Sequence, residues 1–421
     1  MTRAAAIAGV LVVAVLVWVI GLHVGWYADN VITDVPLYRD VADRIASGAV
    51  PYRDFELEYP PLAAGLFWLA GVPPVAYTVS FSALMLVALG VAALAGMGIA
   101  DRLGLGDRRA LAVGLAVAVS PLLIGSLIET RYDMALAAMI AATVWAMVAG
   151  RPLIGWSLVG LGILLKLVPL LILPVLIVHH VHRYGGRATA RGGALAAGIV
   201  ALGLVPFAIL APAGTWDSFS YHLDRPLQIE STGGAYLLGL HALADIDLRV
   251  ETSFGSQNLI GEGPRAIAAI SSGALVLLVI AITVVMAMAI RDARRPGADR
   301  ILLAGVAASL AAALVCGKVL SPQFTLWLLP VGLLVAGRYG RAAFVATLAV
   351  LVLTQAYFPH SYWELVALET WPIVLLVVRD FAVIVLLALA WPRPSIAHPA
   401  RGRARGARGA PAPVPARHLV D

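Results

Sequence analysis

Apolar segments alternate with polar connections along most of the chain. The first covers residues 4–22, and no small-x-small cleavage site follows it, so we interpret it as a retained membrane helix. A short stretch at 62–70 cannot span, whereas longer ones cover 75–100, 110–128, 134–149, 153–178, 192–210, 266–290, 301–315, 324–336 and 342–357, with a last one ending near Trp391. The pattern predicts an all-α polytopic membrane protein of about 11–12 hydrophobic helical segments.

Composition supports this class. The chain is 61% hydrophobic and only 13% charged, with a mean hydropathy of +0.90, which excludes an ordinary soluble domain and a disordered chain. Its one cysteine, Cys316, lies in an apolar run, so neither a disulfide framework nor a cysteine-based metal site is expected.

The polar loop at residues 23–61 is the first region with candidate chemistry. It holds seven carboxylates and three arginines. Within it, residues 36–47 have apolar positions at i, i+4 and i+8 and opposite charges paired at i, i+4, which predicts a short amphipathic helix on the membrane surface. Asp34 stands just ahead of this helix, so we expect its carboxylate at the lip of the bilayer.

Arginines in the short connections predict the orientation. Placing them in the cytoplasm leaves the loops 23–61 and 211–263 outside. Parity then requires 153–178 to turn back near Lys166 as a re-entrant hairpin, which Pro169 and Pro174 favour over a single crossing. We therefore expect a transmembrane domain at 1–392 with two long extracytoplasmic loops, and a disordered basic cytoplasmic tail at 393–421. The arginines concerned are Arg102, Arg108, Arg109, Arg183, Arg187, Arg191, Arg291, Arg294, Arg295, Arg300, Arg338 and Arg341.

Ionisable groups near membrane depth are functional candidates because burying them is costly. Lys166 either binds an anionic headgroup or pairs with a carboxylate of the turn 129–133. Arg379 either faces a phosphate or forms an internal ion pair with Asp380. Arg131 and Asp133 share that ambiguity. In GKVLSPQF, Ser321 and Pro322 suit a helix start, which leaves Lys318 and Gln323 unexplained.

The carboxylates of the first loop also allow two interpretations each. Asp34 is either a base or an ordinary acid at a helix start. Glu56 and Glu58, which precede Tyr59, either bind sugar hydroxyls or simply face water. A histidine cluster at 179–182 lacks an accompanying carboxylate or cysteine in the sequence, so no metal site is expected there. No Gly-rich phosphate loop or hydrolase elbow is visible.

Four stretches resemble a known family: TDVPLYRDVADRIASG, PYRDFELEYPPLAAGLFWL, LLKLVPLLILPVLI and KVLSPQFTLWLLP. In this order they resemble the GT-C class of membrane glycosyltransferases, and more narrowly the actinobacterial polyprenol-phosphate-mannose-dependent α-1,2-mannosyltransferases. The YPPLA stretch is the most specific of these pieces. The family's essential aspartate early in the first outer loop corresponds to Asp34, whereas the Arg-rich tail and FELEY have no counterpart that we can map.

The resemblance implies transfer of a sugar, most simply mannose, from a polyprenyl-phosphate donor to a lipid or glycan acceptor at the outer face of the plasma membrane. Asp34 would act as general base in an inverting reaction, ionised without a large pKa shift. Lys166, Arg131, Arg379 or Lys318 would contact the donor phosphate.

Sugar or acceptor contacts would come from Glu56, Glu58, Tyr59, Asp133 and Gln323. Neither a metal nor another cofactor is required, and nucleic acid is not an expected partner. A transporter or lipid flippase is the alternative class, although the paired repeats common in transporters are not recognisable.

Overall fold

The computed structural model describes residues 2–24 and 32–397. Its first half comprises α1 (Arg3–His23), α2 (Val35–Ala46), α3 (Pro61–Gly71), α4 (Tyr77–Arg102), α5 (Asp107–Ala118), α6 (Pro121–Ile124), α7 (Leu127–Thr130), α8 (Asp133–Val148), α9 (Pro152–Leu165) and α10 (Pro169–Tyr184). The predicted fold class, a helical polytopic membrane protein, is confirmed, and one small sheet accompanies the helices.

The second half contains both helices and a small sheet. Its helices are α11 (Gly186–Leu210), α12 (Pro212–Asp224), α13 (Thr232–Ala244), α14 (Glu262–Ile290), α15 (Gly297–Cys316), α16 (Leu329–Gly332), α17 (Gly340–Tyr357), α18 (Tyr362–Val366) and α19 (Thr370–Ala390). The strands are β1 (Leu227–Gln228), β2 (Arg249–Ser253) and β3 (Ser256–Ile260), and two 3-10 helices cover Pro322–Leu328 and Pro394–Ala397.

Among the residues described, seven helices are long and apolar enough to cross a membrane: α1, α4, α11, α14, α15, α17 and α19. The helices α3, α8 and α9 are apolar but shorter. Of the seven, α15 is central, because 89% of its apolar window is buried and it packs against α10, α14 and α19. Its many alanines allow neighbouring helices to approach closely. The chain is therefore a multi-pass membrane protein.

The amphipathic helix predicted in the first loop is α2. Tyr38 and Val41 are buried, and α2 packs on α3. The two predicted charge pairs lie on its exposed side, with 2.7 Å between Arg44 Nε and Asp40 Oδ2 and a longer 3.6 Å between Arg39 and Asp43. The buried face holds α2 against the membrane helices and thereby fixes Asp34 at its start.

Two of the predicted spans are wrong, because neither is a single spanning helix. Residues 110–128 divide into α5, α6 and α7, because Pro121 begins a new turn and Gly125 adopts a φ of +65° that favours glycine. A side chain at Gly125 would also collide with Gln355. Residues 324–336 form a 3-10 helix followed by the short α16 rather than a spanning helix.

Residues 153–178 form a helical hairpin, as the charge parity favoured. The chain breaks at Lys166, which has an extended backbone, and α10 begins at Pro169. The far ends of the two helices meet again, since the rings of Trp156 and His180 lie 5.5 Å apart. Arg183 also donates to the carbonyl of Met147, just before α9, at 2.7 Å. The hairpin places Lys166 at its turn.

The segment 211–263 is folded rather than an open loop. It contains α12, α13 and a three-stranded antiparallel sheet in the order β1-β3-β2. In the expected disordered tail, Pro394–Ala397 is ordered, and Arg300 of α15 donates to the carbonyl of Ala397 at 3.3 Å. Residues 398–421 of that tail, and Asp29 of the first loop, lie outside the described residues.

Candidate active site

Asp34 sits at the start of α2, but its carboxylate does not cap the helix. The N–H of Val35 donates to Thr33 Oγ1 instead, at 3.2 Å. Asp34 Oδ2 lies 3.0 Å from Arg131 Nε and accepts a 3.3 Å hydrogen bond from the hydroxyl of Tyr38. Asp34 therefore occupies the N-cap position of the helix, as expected, but its carboxylate bonds to Arg131 and Tyr38 rather than to the helix backbone.

Arg131 is a fixed partner for Asp34. Its side chain is 5% exposed, and its Nη1 and Nη2 donate to the carbonyls of Thr130 and Ile32, each at 3.2 Å. These bonds tie the turn after α7 to the first loop. The guanidinium is thus immobilised beside a carboxylate that remains 33% exposed.

The environment of Asp34 makes it more basic than expected. Burial raises the pKa of Asp34 above its usual value, the charge of Glu58 adds to this, and Arg131 and Tyr38 oppose it. The sequence led us to expect an Asp34 at the water interface that needs no large pKa shift to act as a base. In the structure its neighbour Tyr38 belongs to an aromatic cluster, because the ring of Tyr38 stacks on Phe67 at 4.1 Å between centroids.

Lys166 pairs with a carboxylate of the turn, which was one of its two interpretations. Its Nζ lies 2.6 Å from Asp133 Oδ1, which also accepts a 2.7 Å hydrogen bond from Trp327 Nε1. The rings of Phe324 and Tyr132 lie 4.6 and 4.8 Å from the ammonium. The hairpin turn therefore presents an ammonium that is 18% exposed, partly neutralised and held by aromatic faces.

The two charge pairs lie beside each other because Arg131 and Asp133 are two residues apart. Asp133 Oδ2 has no hydrogen-bond partner within the described residues, although it is buried. Together the loop, the turn 130–133 and the hairpin assemble a site of alternating charges. Such a site can bind an anion and accept a proton without a metal ion.

Arg379 lies apart from this arrangement, inside α19. Its side chain is fully buried, its Nε lies 2.5 Å from Asp380 Oδ1, and its Nη2 donates to the carbonyl of Glu230 at 2.7 Å. The carboxylate of Glu230 accepts from the hydroxyl of Tyr357 at 2.9 Å. Of the two interpretations of Arg379, the structure therefore shows the internal ion pair with Asp380.

The sequence did not reveal two residues: Trp327, which contacts Asp133 in the site, and Glu230, which belongs to the separate Arg379 cluster. Burial raises the pKa of Glu230 to about 7, with Arg379 opposing the shift. A single glutamate in a segment taken for an open polar loop gave no sign of burial. Trp327 stood in an apolar run, where an indole is usually core packing.

The remaining predicted cation, Lys318, joins α12 to the end of α15. Its Nζ donates to the carbonyl of Leu223 at 2.6 Å, and burial lowers its pKa. Gln323 lies in the first turn of the 3-10 helix and is half-buried. Ser321 forms no capping bond there, and its hydroxyl lies within hydrogen-bonding distance of Gln228 instead.

His179 does have a carboxylate beside it, contrary to the expectation from the sequence. Its Nε2 lies 2.8 Å from Asp299 Oδ1, a residue 120 positions away that the linear pattern could not reveal. Within residues 2–24 and 32–397, no group of three or more histidine, cysteine, aspartate or glutamate side chains could hold a metal ion.

Two cavities flank the site. An acidic cleft of about 770 Å³ contains Glu56, Glu58 and Tyr59, three of the predicted sugar or acceptor contacts. An apolar groove of about 640 Å³ runs among α9, α10 and α11, and includes Pro60, Pro61 and Leu167. Leu167, which lines the groove, directly follows Lys166 in the chain. Pro60, which also lines the groove, directly follows Tyr59 of the cleft.

These features define a multi-pass membrane protein with a charged site between an apolar groove and a polar cleft. Residues 57–322, well over half of the chain, match the family model of glycosyltransferase family 87, and the chain belongs to this family. It is a membrane glycosyltransferase, which decides against the transporter alternative. Asp34 itself precedes the matched range.

One solved structure resembles the chain as a whole: the crystal structure of ArnT from Cupriavidus metallidurans bound to undecaprenyl phosphate. The sequence identity is 16%, and the similarity covers 93% of this chain and 79% of that one, with a TM-score of 0.47. This likeness supports no conclusion about the site. No curated protein matches the chain.

Proposed function

We propose that the protein is a GT-C enzyme that transfers mannose from a polyprenyl-phosphate donor to a lipid or glycan acceptor, with inversion. The observation that carries this proposal is the Asp34–Arg131 pair, whose further partner Tyr38 packs against Tyr59 of the polar cleft at 6.1 Å between ring centroids. The groove suits an isoprenoid chain, because its lining is apolar throughout apart from Thr189. Mannose itself rests on the resemblance of the motifs.

Asp34 is the proposed general base. The acceptor oxygen forms a bond to the anomeric carbon from the face opposite the phosphate while the carbon–oxygen bond to the phosphate breaks. The acceptor proton passes to the carboxylate of Asp34, and the bonding electrons leave with the polyprenyl phosphate. A raised pKa makes Asp34 a stronger base, provided that it is ionised at the working pH.

Arg131 and Lys166 are the proposed phosphate contacts. Proton uptake neutralises Asp34 in the same step in which the leaving phosphate gains a negative charge. The guanidinium of Arg131 then loses its counter-charge and can stabilise the phosphate instead. Lys166 stands at the hairpin turn next to the groove and supplies the second positive charge. Arg379 and Lys318 remain weaker candidates, because each is engaged elsewhere.

The test of this function is a transfer assay on membranes containing the protein. Labelled polyprenyl-phosphate-mannose should give label in a lipid or glycan product, and the Asp34→Asn variant should not. Arabinose is the second candidate sugar, and the same assay with labelled polyprenyl-phosphate-arabinose compares it with mannose. If neither donor transfers label although the parent protein is folded and binds a polyprenyl-phosphate analogue, the proposed function is wrong.

The site is proposed to face the outside of the plasma membrane. A cysteine at the exposed Ser47 should then react with an impermeant reagent in intact cells, whereas one at the exposed Asp292 should not. Ala298, in the same connection, is 4% exposed and therefore unsuitable for labelling. Reaction at position 292 alone would reverse the assignment.

A further inference from the structure

The acidic cleft has two walls from separate parts of the chain. One wall is α2 with the segment leading to Tyr59, and the other is α12 with Asp217, Tyr221 and Asp224. His222 of α12 lies with its Nε2 3.1 Å from the carbonyl of Glu58, which holds the walls together. A volume of about 770 Å³ falls in the usual range for binding sites of small molecules, ~300–1,000 Å³.

The same two chain segments separate the cleft from the apolar groove. On the first wall, Tyr59 lines the cleft, while the next residue, Pro60, lines the groove. On the second wall, Ser218 and Ser220 line the cleft, while Phe219 between them lines the groove. The two cavities have no lining residue in common. An isoprenoid in the groove therefore leaves the cleft free for a water-borne substrate.

The inner end of the cleft approaches the proposed base. The ring of Tyr59 lies 6.1 Å from the ring of Tyr38, whose hydroxyl donates to Asp34. The charge of Glu58 is close enough to raise the pKa of Asp34. The cleft therefore leads toward Asp34 by way of Tyr59 and Tyr38.

The charges that line the cleft are almost all negative. Five carboxylates line it, and the single lining cation, Arg44, is already paired with Asp40 at 2.7 Å. Within the part of the chain that the structure describes, the other four have no ion-pair partner. These are Glu56, Glu58, Asp217 and Asp224.

We propose that this cleft binds the acceptor and that the part of the acceptor inside it is an uncharged glycan. Sugar hydroxyls can donate to the four carboxylates that have no ion-pair partner, and the tyrosines offer flat apolar faces. A phosphate or carboxylate on the same sugars would meet like charges and be rejected. This inference rests on the proposed function, because it assigns the second substrate of the same site.

The test is a binding measurement on the full-length protein in detergent. The probes are neutral trisaccharides of mannose, glucose and galactose, each compared with the same trisaccharide carrying one phosphate. At least one neutral probe should bind, and its phosphorylated form should bind about tenfold more weakly or worse, corresponding to ~1.4 kcal/mol. The difference should shrink as salt is added, because the carboxylates are accessible to solvent.

Asp217→Asn with Asp224→Asn should reduce this discrimination severalfold. The matched control is Asp245→Asn with Asp247→Asn, which removes two charges from exposed positions of the same segment outside the cleft. The control should keep the parent's discrimination. If both variants lose the discrimination between neutral and phosphorylated probes, or if neither loses it, the cleft is not the source of that discrimination.

The donor side is checked separately with a non-transferable polyprenyl-phosphate analogue. If the analogue binds but no neutral glycan does, or if phosphorylated probes bind as well as neutral ones, the acceptor assignment is wrong and the donor proposal stands. If the analogue does not bind and no transfer occurs, the proposed function and this inference both fail.

Discussion

Two arginine–aspartate pairs differ in burial, and this difference separates the pair that we propose as catalytic from a structural one. The Arg379–Asp380 pair is enclosed, with side chains 0% and 3% exposed, and it supports the backbone of Glu230. In the Arg131–Asp34 pair the guanidinium is equally fixed, but the carboxylate is 33% exposed. The first pair can exchange neither partner with a substrate. The second leaves one partner accessible from outside the protein while it holds the other in place.

The largest effect is expected from Asp34→Asn, which keeps the size of the side chain but removes its ability to accept a proton. Transfer should fall by about 10²–10⁴-fold while the protein still folds and binds the donor analogue. The measurement is the initial rate of label transfer at saturating donor.

Asp43→Asn is the control, because Asp43 lies 71% exposed on the same helix and outside the cleft. It should change the rate little. Asp40 is less suitable, since its carboxylate lines the cleft. Near-normal turnover of Asp34→Asn would require another base. Glu56, Glu58 and Asp133 would then be tested before Asp54, because the guanidinium of Arg53 and the N–H of Val50 hold the pKa of Asp54 at about 2.

Arg379→Met should destabilise the fold rather than impair chemistry. Removing one member of a buried pair leaves an uncompensated charge, which costs about 3–5 kcal/mol, whereas replacing both members is often nearly neutral. Thermal unfolding of Arg379→Met and of the double variant Arg379→Met with Asp380→Leu measures this difference. A variant that unfolds like the parent but binds the donor analogue weakly would instead give Arg379 the phosphate role.

Lys166→Met is expected to raise the donor KM about tenfold, which corresponds to ~1.4 kcal/mol. Because the substitution also strands the buried Asp133, the decisive variant is Lys166→Met combined with Asp133→Asn, which removes both charges. If that variant folds well and still binds the donor analogue poorly, the ammonium contacts the phosphate. Full recovery of donor binding would make the pair purely structural.

The smallest effect concerns pH. Transfer requires ionised Asp34, so the rate should be full above its pKa and fall as the pH drops through it. The ordinary pKa of an aspartate is ~3.9. Since the pKa of Asp34 is raised, the acid limb of the pH–rate profile should lie above that value. Glu58→Gln removes a like charge and should move the limb to lower pH. A limb that does not move would mean that another group controls it.

Hydropathy was sufficient to predict most helices, because a long apolar run must satisfy its backbone hydrogen bonds within its own segment, as a helix does. It failed at 110–128 and 324–336, where Pro121, Gly125 and a 3-10 turn interrupt runs that remain apolar. The sequence also marked Asp34, Lys166 and Arg379 as unusual. It could not choose between their alternatives, since the partners of Asp34 and Lys166 lie 97 and 33 residues away.

The partition between the groove and the cleft also bears on kinetics. Because Tyr59 and Pro60 face different cavities, neither substrate has to pass through the space of the other. Geometry therefore imposes no binding order. On the proposed assignment of the two cavities, a lipid product leaving along the groove would not block the exchange of glycans through the cleft. Exchange at one cavity would then not have to wait for exchange at the other.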